Sequence, residues 1–315
     1  MELYFLGTNA GIPTLHRNVT SVALRLFEER RSLWLFDCGE GTQHQILKSS
    51  LKLSKLEHIY ITHLHGDHVF GLPGLLSSRG AQGITAPLTV YGPPGIQAFI
   101  QTSLELSQSR VPYELNIVEH TGGVVFEDDG FRVEAAKLEH RAECYGYRVI
   151  EKDLPGSLDL KRLETYGLKP GPLYGRLKRG ESVELEGGGW VHPADVLLTP
   201  KKGRVVTILG DTRPCTGVHQ LAKGADLLVH EATFSAELTE LANEYYHSTA
   251  EQAAKAAAEA GVQELILTHF SSRYKDMEHL QPLLEEAQQI FPNTKLAEDF
   301  GLYPVPRRCS AGGNP

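Results

Sequence analysis

The sequence predicts a layered α/β sandwich. Strands and helices alternate in two halves, a long stretch rich in Gly and Pro separates the halves, and successive strands end on a histidine or an aspartate. The chain has 315 residues, of which 41% are hydrophobic and 22% charged, ample for a large core. Those proportions exclude a wholly disordered chain and a collagen. No apolar run approaches the ~18 residues of a membrane-spanning helix.

Residues 2–7 and 20–27 read as strands, and 32–36 as a short buried strand bounded by polar residues. The turn Asp37-Cys38-Gly39-Glu40-Gly41 leads to a helix over 42–48. Residues 56–62 form a strand and 63–67 a loop, and a helix begins over 69–78 despite Pro73. After a strand at 88–91, residues 95–108 are amphipathic, with Ile96, Phe99, Ile100, Leu104 and Leu106 on helical spacing. Strands follow near 113–118, 124–126, 131–137 and 145–150.

Composition changes near residue 151. From there to about 203 the chain is rich in Gly, Pro and charge, with Pro170-Gly171-Pro172 and Gly187-Gly188-Gly189. This reads as a flexible arm inserted into a single domain of residues 1–315. Alternation resumes with strands at 204–209, 226–230 and 264–268 and helices at 217–222, 249–260 and 279–290. Residues 307–315 read as a loose tail. Repeats and heptads are absent, and neither G-x-G-x-x-G nor a P-loop supports nucleotide binding.

The start, Met1-Glu2-Leu3-Tyr4-Phe5-Leu6-Gly7, lacks the basic opening and long apolar stretch of a signal peptide. Cys38, Cys144, Cys215 and Cys309 are scattered with no C-x-x-C pair, which predicts free thiols in a reducing cytoplasm. The net charge of −8 argues against an RNA or DNA substrate at first sight.

Histidine is the unusual count, at 14. The segment Thr62-His63-Leu64-His65-Gly66-Asp67-His68 sets four metal-capable side chains within six residues at the end of a strand. Neutral imidazoles with an ionised carboxylate suit a borderline ion such as zinc. His63 and His65, two apart, suit one ion, and Asp67 and His68 a second. Gly66, without a Cβ, permits a sharp turn and leaves room for an ion. Later strand ends carry His140, Asp211 and His269.

The pattern resembles the metallo-β-lactamase superfamily, which implies a four-layer αβ/βα sandwich with its metal site at one edge. By that resemblance His63, His65 and His140 bind one zinc, Asp67, His68 and His269 a second, and Asp211 bridges them. Manganese is an alternative to zinc. Asp37 would support the metal loop, or be no more than a turn carboxylate. Metal ligation alone leaves lactams, lactones, thioesters and phosphodiesters open as substrates.

Four further features narrow that choice. They are Pro13-Thr14-Leu15-His16-Arg17-Asn18, His230-Glu231-Ala232-Thr233-Phe234, Tyr246-His247-Ser248-Thr249 and the insertion. With the metal motifs they resemble the tRNase Z (ribonuclease Z) family over nearly the whole chain. That resemblance implies a zinc-dependent endoribonuclease removing 3′ trailers from tRNA precursors. The cut falls 3′ of the discriminator nucleotide and leaves a 3′-hydroxyl on the tRNA and a 5′-phosphate on the trailer. It also implies two zinc ions per subunit, a homodimer and catalytic roles for Asp67 and His247; Glu231 could hold the His247 ring charged or be a structural strand-end group. The family loop often carries Lys where Leu15 stands, so rejection of CCA-bearing tRNA is not implied, while Arg17 and Asn18 remain for RNA contact. A different phosphodiesterase on the same fold is the alternative; it would not need a basic arm.

Charge distribution resolves the objection raised by the −8. Residues 161–180 carry Lys161, Arg162, Lys169, Arg176, Lys178 and Arg179 against Glu164, a local +5, which leaves −13 on the rest. Such a stretch, with Tyr166 and Tyr174, suits a tRNA backbone read by phosphate and shape.

Overall fold

The computed structural model describes residues 1–307, so the expected tail lies outside the described residues apart from Arg307, as does Cys309. The chain forms two compact units, Met1–Ile150 with Val205–Pro306, and a second one containing Glu151–Arg204.

The strands of the first half are β1 (Glu2–Gly7), β2 (Ser21–Leu26), β3 (Ser32–Phe36), β4 (Leu56–Tyr60), β5 (Leu88–Gly92) and β6 (Leu115–Glu119). Next come β7 (Gly123–Glu127), β8 (Phe131–Lys137) and β9 (Tyr145–Glu151), then β10 (Val183–Glu184) and β11 (Trp190–Val191) of the insertion. The last are β12 (Val205–Ile208), β13 (Leu227–Glu231), β14 (Glu264–Thr268), β15 (Thr294–Leu296) and β16 (Leu302–Pro304). The larger unit holds two seven-stranded sheets, ordered β16-β1-β2-β3-β4-β5-β6 and β15-β14-β13-β12-β9-β8-β7.

Side-chain alternation along the strands builds the layers. From β3, Trp34 and Phe36 join an inner core with Tyr60, Tyr147, Val206, Ile208, Val229 and Ile266, drawn from both sheets. The intervening Leu33 and Leu35 face an outer cluster with Ile59, Ile61, Leu75, Leu76, Ile96 and Ile100. Both faces of β3 are therefore covered, which is why its five residues are all buried. Burying each such large apolar side chain contributes roughly 1.5–3 kcal/mol. Trp34 is fully buried amid four aromatic rings, and truncating it to Ala should cost about 3–5 kcal/mol.

The helices covering the first sheet include α1 (Thr42–Leu47), α2 (Gly66–Val69), α3 (Leu72–Ala81) and α4 (Ile96–Leu106). The helix expected over 69–78 is α3, which starts at Leu72 with Pro73 in its first turn, where its missing N–H costs nothing, while α2 begins inside the stretch expected as a loop. In the second unit lie α5 (Leu160–Thr165), α6 (Pro172–Lys178) and α7 (Pro193–Val196). Then follow α8 (Thr216–Ala222), α9 (Thr239–Tyr245), α10 (Ala250–Ala260) and α11 (Met277–Ile290). Val218 and Leu221 of α8, the alanines of α10, and Leu280 and Leu283 of α11 pack on Leu228, Leu265 and Leu267 of the second sheet. Thr249 caps α10 in a reciprocal pair with Gln252. α9, β15 and β16 had no clear sequence signal, the two strands being only three residues each.

The segment whose composition suggests an irregular loop is folded. Leu163, Leu168, Leu177, Val183, Val191 and Val196 form a core of its own beneath α5–α7 and the β10–β11 hairpin. The six cations of 161–180 are exposed, but Arg176 and Arg179 both pair with Glu181, and Arg162 lies 3.7 Å from Asp159. Including Asp159 and Glu181 lowers the local +5 to +3.

Candidate metal centre

The residues following β3, β4, β8, β12 and β14 converge. His63 Nε2 lies 3.0 Å from His65 Nδ1 and 3.7 Å from Asp211 Oδ2, and His140 Nε2 is 3.2 Å from His65 Nδ1. Asp67 Oδ2 lies 3.5 Å from His68 Nε2 and 3.4 Å from His269 Nε2. Asp211 is 3.5 Å from His68 Nε2 and 3.3 Å from His269 Nε2. The seven expected residues thus form two groups of four that share Asp211. Four ligands at 2.0–2.1 Å around a tetrahedral zinc stand about 3.3 Å from one another, so these spacings fit an ion at each group.

The rings are turned so that a lone pair faces inward. Thr62 Oγ1 donates to Asp37 Oδ2 at 2.8 Å, leaving its lone pair for His63 Nδ1 at 3.0 Å. His140 Nδ1 donates to the Tyr246 carbonyl at 3.0 Å. His269 Nδ1 lies 3.0 Å from Thr233 Oγ1, whose proton is directed to Glu231 at 2.6 Å. His68 Nδ1 bonds Asp37 Oδ2 at 2.7 Å, and its Nε2 is buried without a hydrogen-bond partner. Backing of the outer nitrogen is the usual means of fixing tautomer and aim in metal-binding histidines. Asp37 therefore acts beneath the loop, gripping Thr62 and His68 together.

Charge points the same way. Burial, reinforced by His68, pushes the His63 ring below its ordinary pKa. Burial opposes ionisation of Asp67 and Asp211, yet the neighbouring His68 and His269 outweigh it and hold both carboxyls well below their usual range. Burial likewise opposes charging of His68, but Asp211, Asp37 and Asp67 together raise its pKa. Three carboxylates around one imidazole form a negative focus that suits a divalent cation.

The local backbone is specialised. Asp37 and His269 adopt left-handed φ of 58° and 56°, sparsely populated for residues with a side chain and common at functional sites. A Cβ on Gly39 would lie 2.3 Å from the Asp67 carbonyl, so only glycine lets that turn approach the loop. Gly66 has a different reason from the one expected: its missing Cβ makes room for the Phe70 ring, and the residue opens α2.

A cavity of about 270 Å³ opens onto the two groups and is also lined by Gly11, Arg141, Tyr245 and His247. His247 Nδ1 lies 2.7 Å from Glu231 Oε1. Glu231 is buried and takes further bonds from the Thr212 amide at 3.0 Å and the Thr233 hydroxyl. Burial opposes charging of His247, but Glu231 outweighs it and raises the pKa to about 9. The Ser248 hydroxyl donates to the Thr212 carbonyl at 2.7 Å, tying this segment to the Asp211 loop.

The loop near the N-terminus is arranged otherwise than expected. Arg17 points inward, its Nε donating to Asn9 Oδ1 at 3.0 Å and its Nη2 to the Tyr274 carbonyl. It pins the loop and is not offered to RNA. Asn18 bonds the Glu40 carbonyl at 2.9 Å, and Leu15 is 99% exposed. Arg273 lies over the Phe234 ring at 5.0 Å. Sequence reasoning missed Thr62, Thr233, the Tyr246 carbonyl and the Gly11 amide, which donates to Asp67 Oδ2 at 2.8 Å. A hydroxyl or a backbone group carries no sequence signal of such a role.

Comparison with known proteins agrees with this geometry. Residues 1–107 match the family of the anti-Pycsar protein Apyc1, and 188–270 the beta-lactamase superfamily domain. A ribonuclease Z of Bacillus licheniformis is 57% identical over 307 residues, covering 98% of this chain and all of the relative. Human tRNase Z, short form, superposes with a TM-score of 0.72 at 32% identity, covering 97% of this chain and 100% of that one. The metallo-beta-lactamase fold protein YhfI from Bacillus subtilis, at 17% identity, shares the fold with a TM-score of 0.67 over 96% of this chain and 98% of its own. The αβ/βα sandwich is thus of metallo-β-lactamase type, its clustered His and Asp side chains suit a divalent metal, and the chain belongs to the ribonuclease Z family.

Proposed function

We propose that this protein is a zinc-dependent endoribonuclease that removes 3′ trailers from tRNA precursors. It cuts 3′ of the discriminator nucleotide, leaving a 3′-hydroxyl on the tRNA and a 5′-phosphate on the trailer. The observation that carries the reading is His247, paired at 2.7 Å with the buried Glu231, in the same cavity as two four-residue ligand groups. The names of the relatives supply the substrate class.

His63, His65, His140 and Asp211 would hold one zinc, and Asp67, His68, His269 and Asp211 the other, with manganese able to replace them. Bound there, such ions would lower the pKa of a water from 15.7 towards ~7 and offset charge on the attacked phosphate. Asp67, kept anionic and tied to the Gly11 amide, orients the water more than it stores a proton. The water oxygen joins phosphorus as the bond from phosphorus to the discriminator 3′-oxygen breaks. His247 gives its proton to that departing oxygen, and Glu231 keeps the imidazole charged and aimed. Each cleavage consumes one water.

The exposed cations of the inserted unit form an RNA-binding arm within the metallo-β-lactamase-type chain. The working form is a cytoplasmic homodimer, in which the arm of one subunit holds tRNA cut by the other. No helix among the described residues is long and apolar enough to cross a membrane.

The test is incubation of the purified protein with a 3′-extended tRNA, with and without a chelator, mapping both new ends. A chelator-sensitive cut after the discriminator supports the reading. Hydrolysis of a small phosphodiester with the precursor left intact would overturn it.

A further inference from the structure

Tyr245 has no part in the ligand groups or in the proton transfer, yet it lines the same cavity as His140, His247 and Asp211. It ends α9 and is 45% exposed at the rim of that cavity. The Arg141 guanidinium lies over its ring, 5.0 Å from the centroid, and is anchored by a 3.1 Å bond to the Glu244 carbonyl. Arg141 directly follows His140, so the pair is fixed on one side to a ligand strand end. On the other, Tyr245 is two residues from His247, across Tyr246, whose backbone is left-handed. Arg213 lies over the Tyr246 ring at 4.2 Å and pairs with Glu139, which steadies that turn. The result is a held, flat, partly exposed aromatic face backed by a cation, a combination that suits a stacked nucleobase with its phosphate nearby.

We propose that Tyr245, with Arg141, is the stacking platform for the discriminator base, the nucleotide whose 3′-oxygen departs. The inference rests on the endonuclease reading. It selects the discriminator over the first trailer base because Tyr245 belongs to the segment that delivers His247 to the leaving oxygen. An apolar platform of this kind tolerates all four bases, since each offers a π-face.

The experiment is a cycle of enzyme and substrate changes read as kcat/KM on 3′-extended tRNA. Tyr245→Ala should lower kcat/KM by about 5- to 150-fold, the range for loss of one stacked base. Tyr245→Trp should restore most of the rate, and Tyr245→Leu should not. A precursor with an abasic discriminator should be cut slowly by the wild type and no more slowly by Tyr245→Ala, while an abasic first trailer nucleotide should leave the Tyr245→Ala effect intact. Melting temperatures identify any variant that fails to fold, and Tyr245→Leu carries the cycle if the alanine variant does. Wild-type kcat/KM in the alanine and leucine variants, equal slowing on the normal and abasic-discriminator precursors, or coupling to the trailer base would each overturn the platform. Failure of the wild-type protein to cut any precursor would instead overturn the endonuclease reading.

Discussion

The side chains around Asp211 and the cations of the inserted unit are held in opposite ways. His63, His68, His140 and His269 each have an outer nitrogen backed by a hydroxyl, carboxylate or carbonyl, and three of the four are buried. The six cations of 161–180 are exposed, and only some of them are tied to neighbouring carboxylates. Bond-making chemistry depends on position to a fraction of an ångström, which burial and backing supply. Recognition of a phosphate backbone depends on charge over a surface, for which exposed side chains suffice.

The sharpest way to break this comparison is at the shared ligand. Asp211→Ala should reduce precursor cleavage by roughly 10³-fold or more and lower the bound metal measured on the purified protein. Retained metal and activity would remove Asp211 from the centre. Next in size, His247→Ala should cost about 10²–10³-fold in cleavage while the metal content stays unchanged. The protonated ring is the active form, and Glu231 raises its pKa to about 9 against burial. Glu231→Gln should therefore move the alkaline limb of the pH–rate profile to lower pH; an unmoved limb would argue against His247 as the acid.

Asp37→Asn should weaken metal affinity by about 10- to 100-fold, read by competition with a chelating dye, because it loosens Thr62 and His68 together. In the inserted unit, changing Lys161, Lys169 and Lys178 to Gln should weaken precursor binding and flatten its dependence on log[salt] by about 0.7–0.9 for each phosphate no longer neutralised. Changing Arg176 and Arg179, which already share Glu181, should do less. Equal effects would mean that the ion pairs do not restrain those side chains. Deleting 161–180 outright is the poorer test, since it removes Leu163, Leu168 and Leu177 from the unit's core.

The smallest effect concerns a buried and a half-buried histidine outside the centre. Burial lowers the pKa of His58, and likewise of His120, to about 4. Between about 6.5 and 4 the unfolded chain binds protons that the folded chain does not, so stability should fall as pH falls through that window. His58→Leu should flatten the fall and leave stability equal or higher by about 1 kcal/mol, because neither His58 ring nitrogen has a hydrogen-bond partner. Denaturant melts across that range would show it, and an unchanged slope would exclude His58 as a source.

Much of the larger unit is legible in the sequence because its signals are local. The unbroken apolar run Leu33–Phe36 marks β3 as covered on both faces, and the strand at 264–268 ends where expected, just before His269. The same reasoning misjudges Arg17, whose charge reads as surface although its side chain is satisfied by Asn9 and Tyr274. It also misjudges 151–203, where six apolar residues spread over 34 positions are diluted by Gly, Pro and charge.

By itself the sequence determined which side chains stand at the strand ends, and so the chemistry available, since residue type and a period of two are properties of neighbouring residues. The tertiary structure alone decided that Asp67 would meet His269 across 202 residues of chain, that Glu231 would charge His247, and that Tyr245 would face the same cavity. Those outcomes follow from two sheets packing through a common core, and burial and charge at such a junction are set by residues distant in the chain.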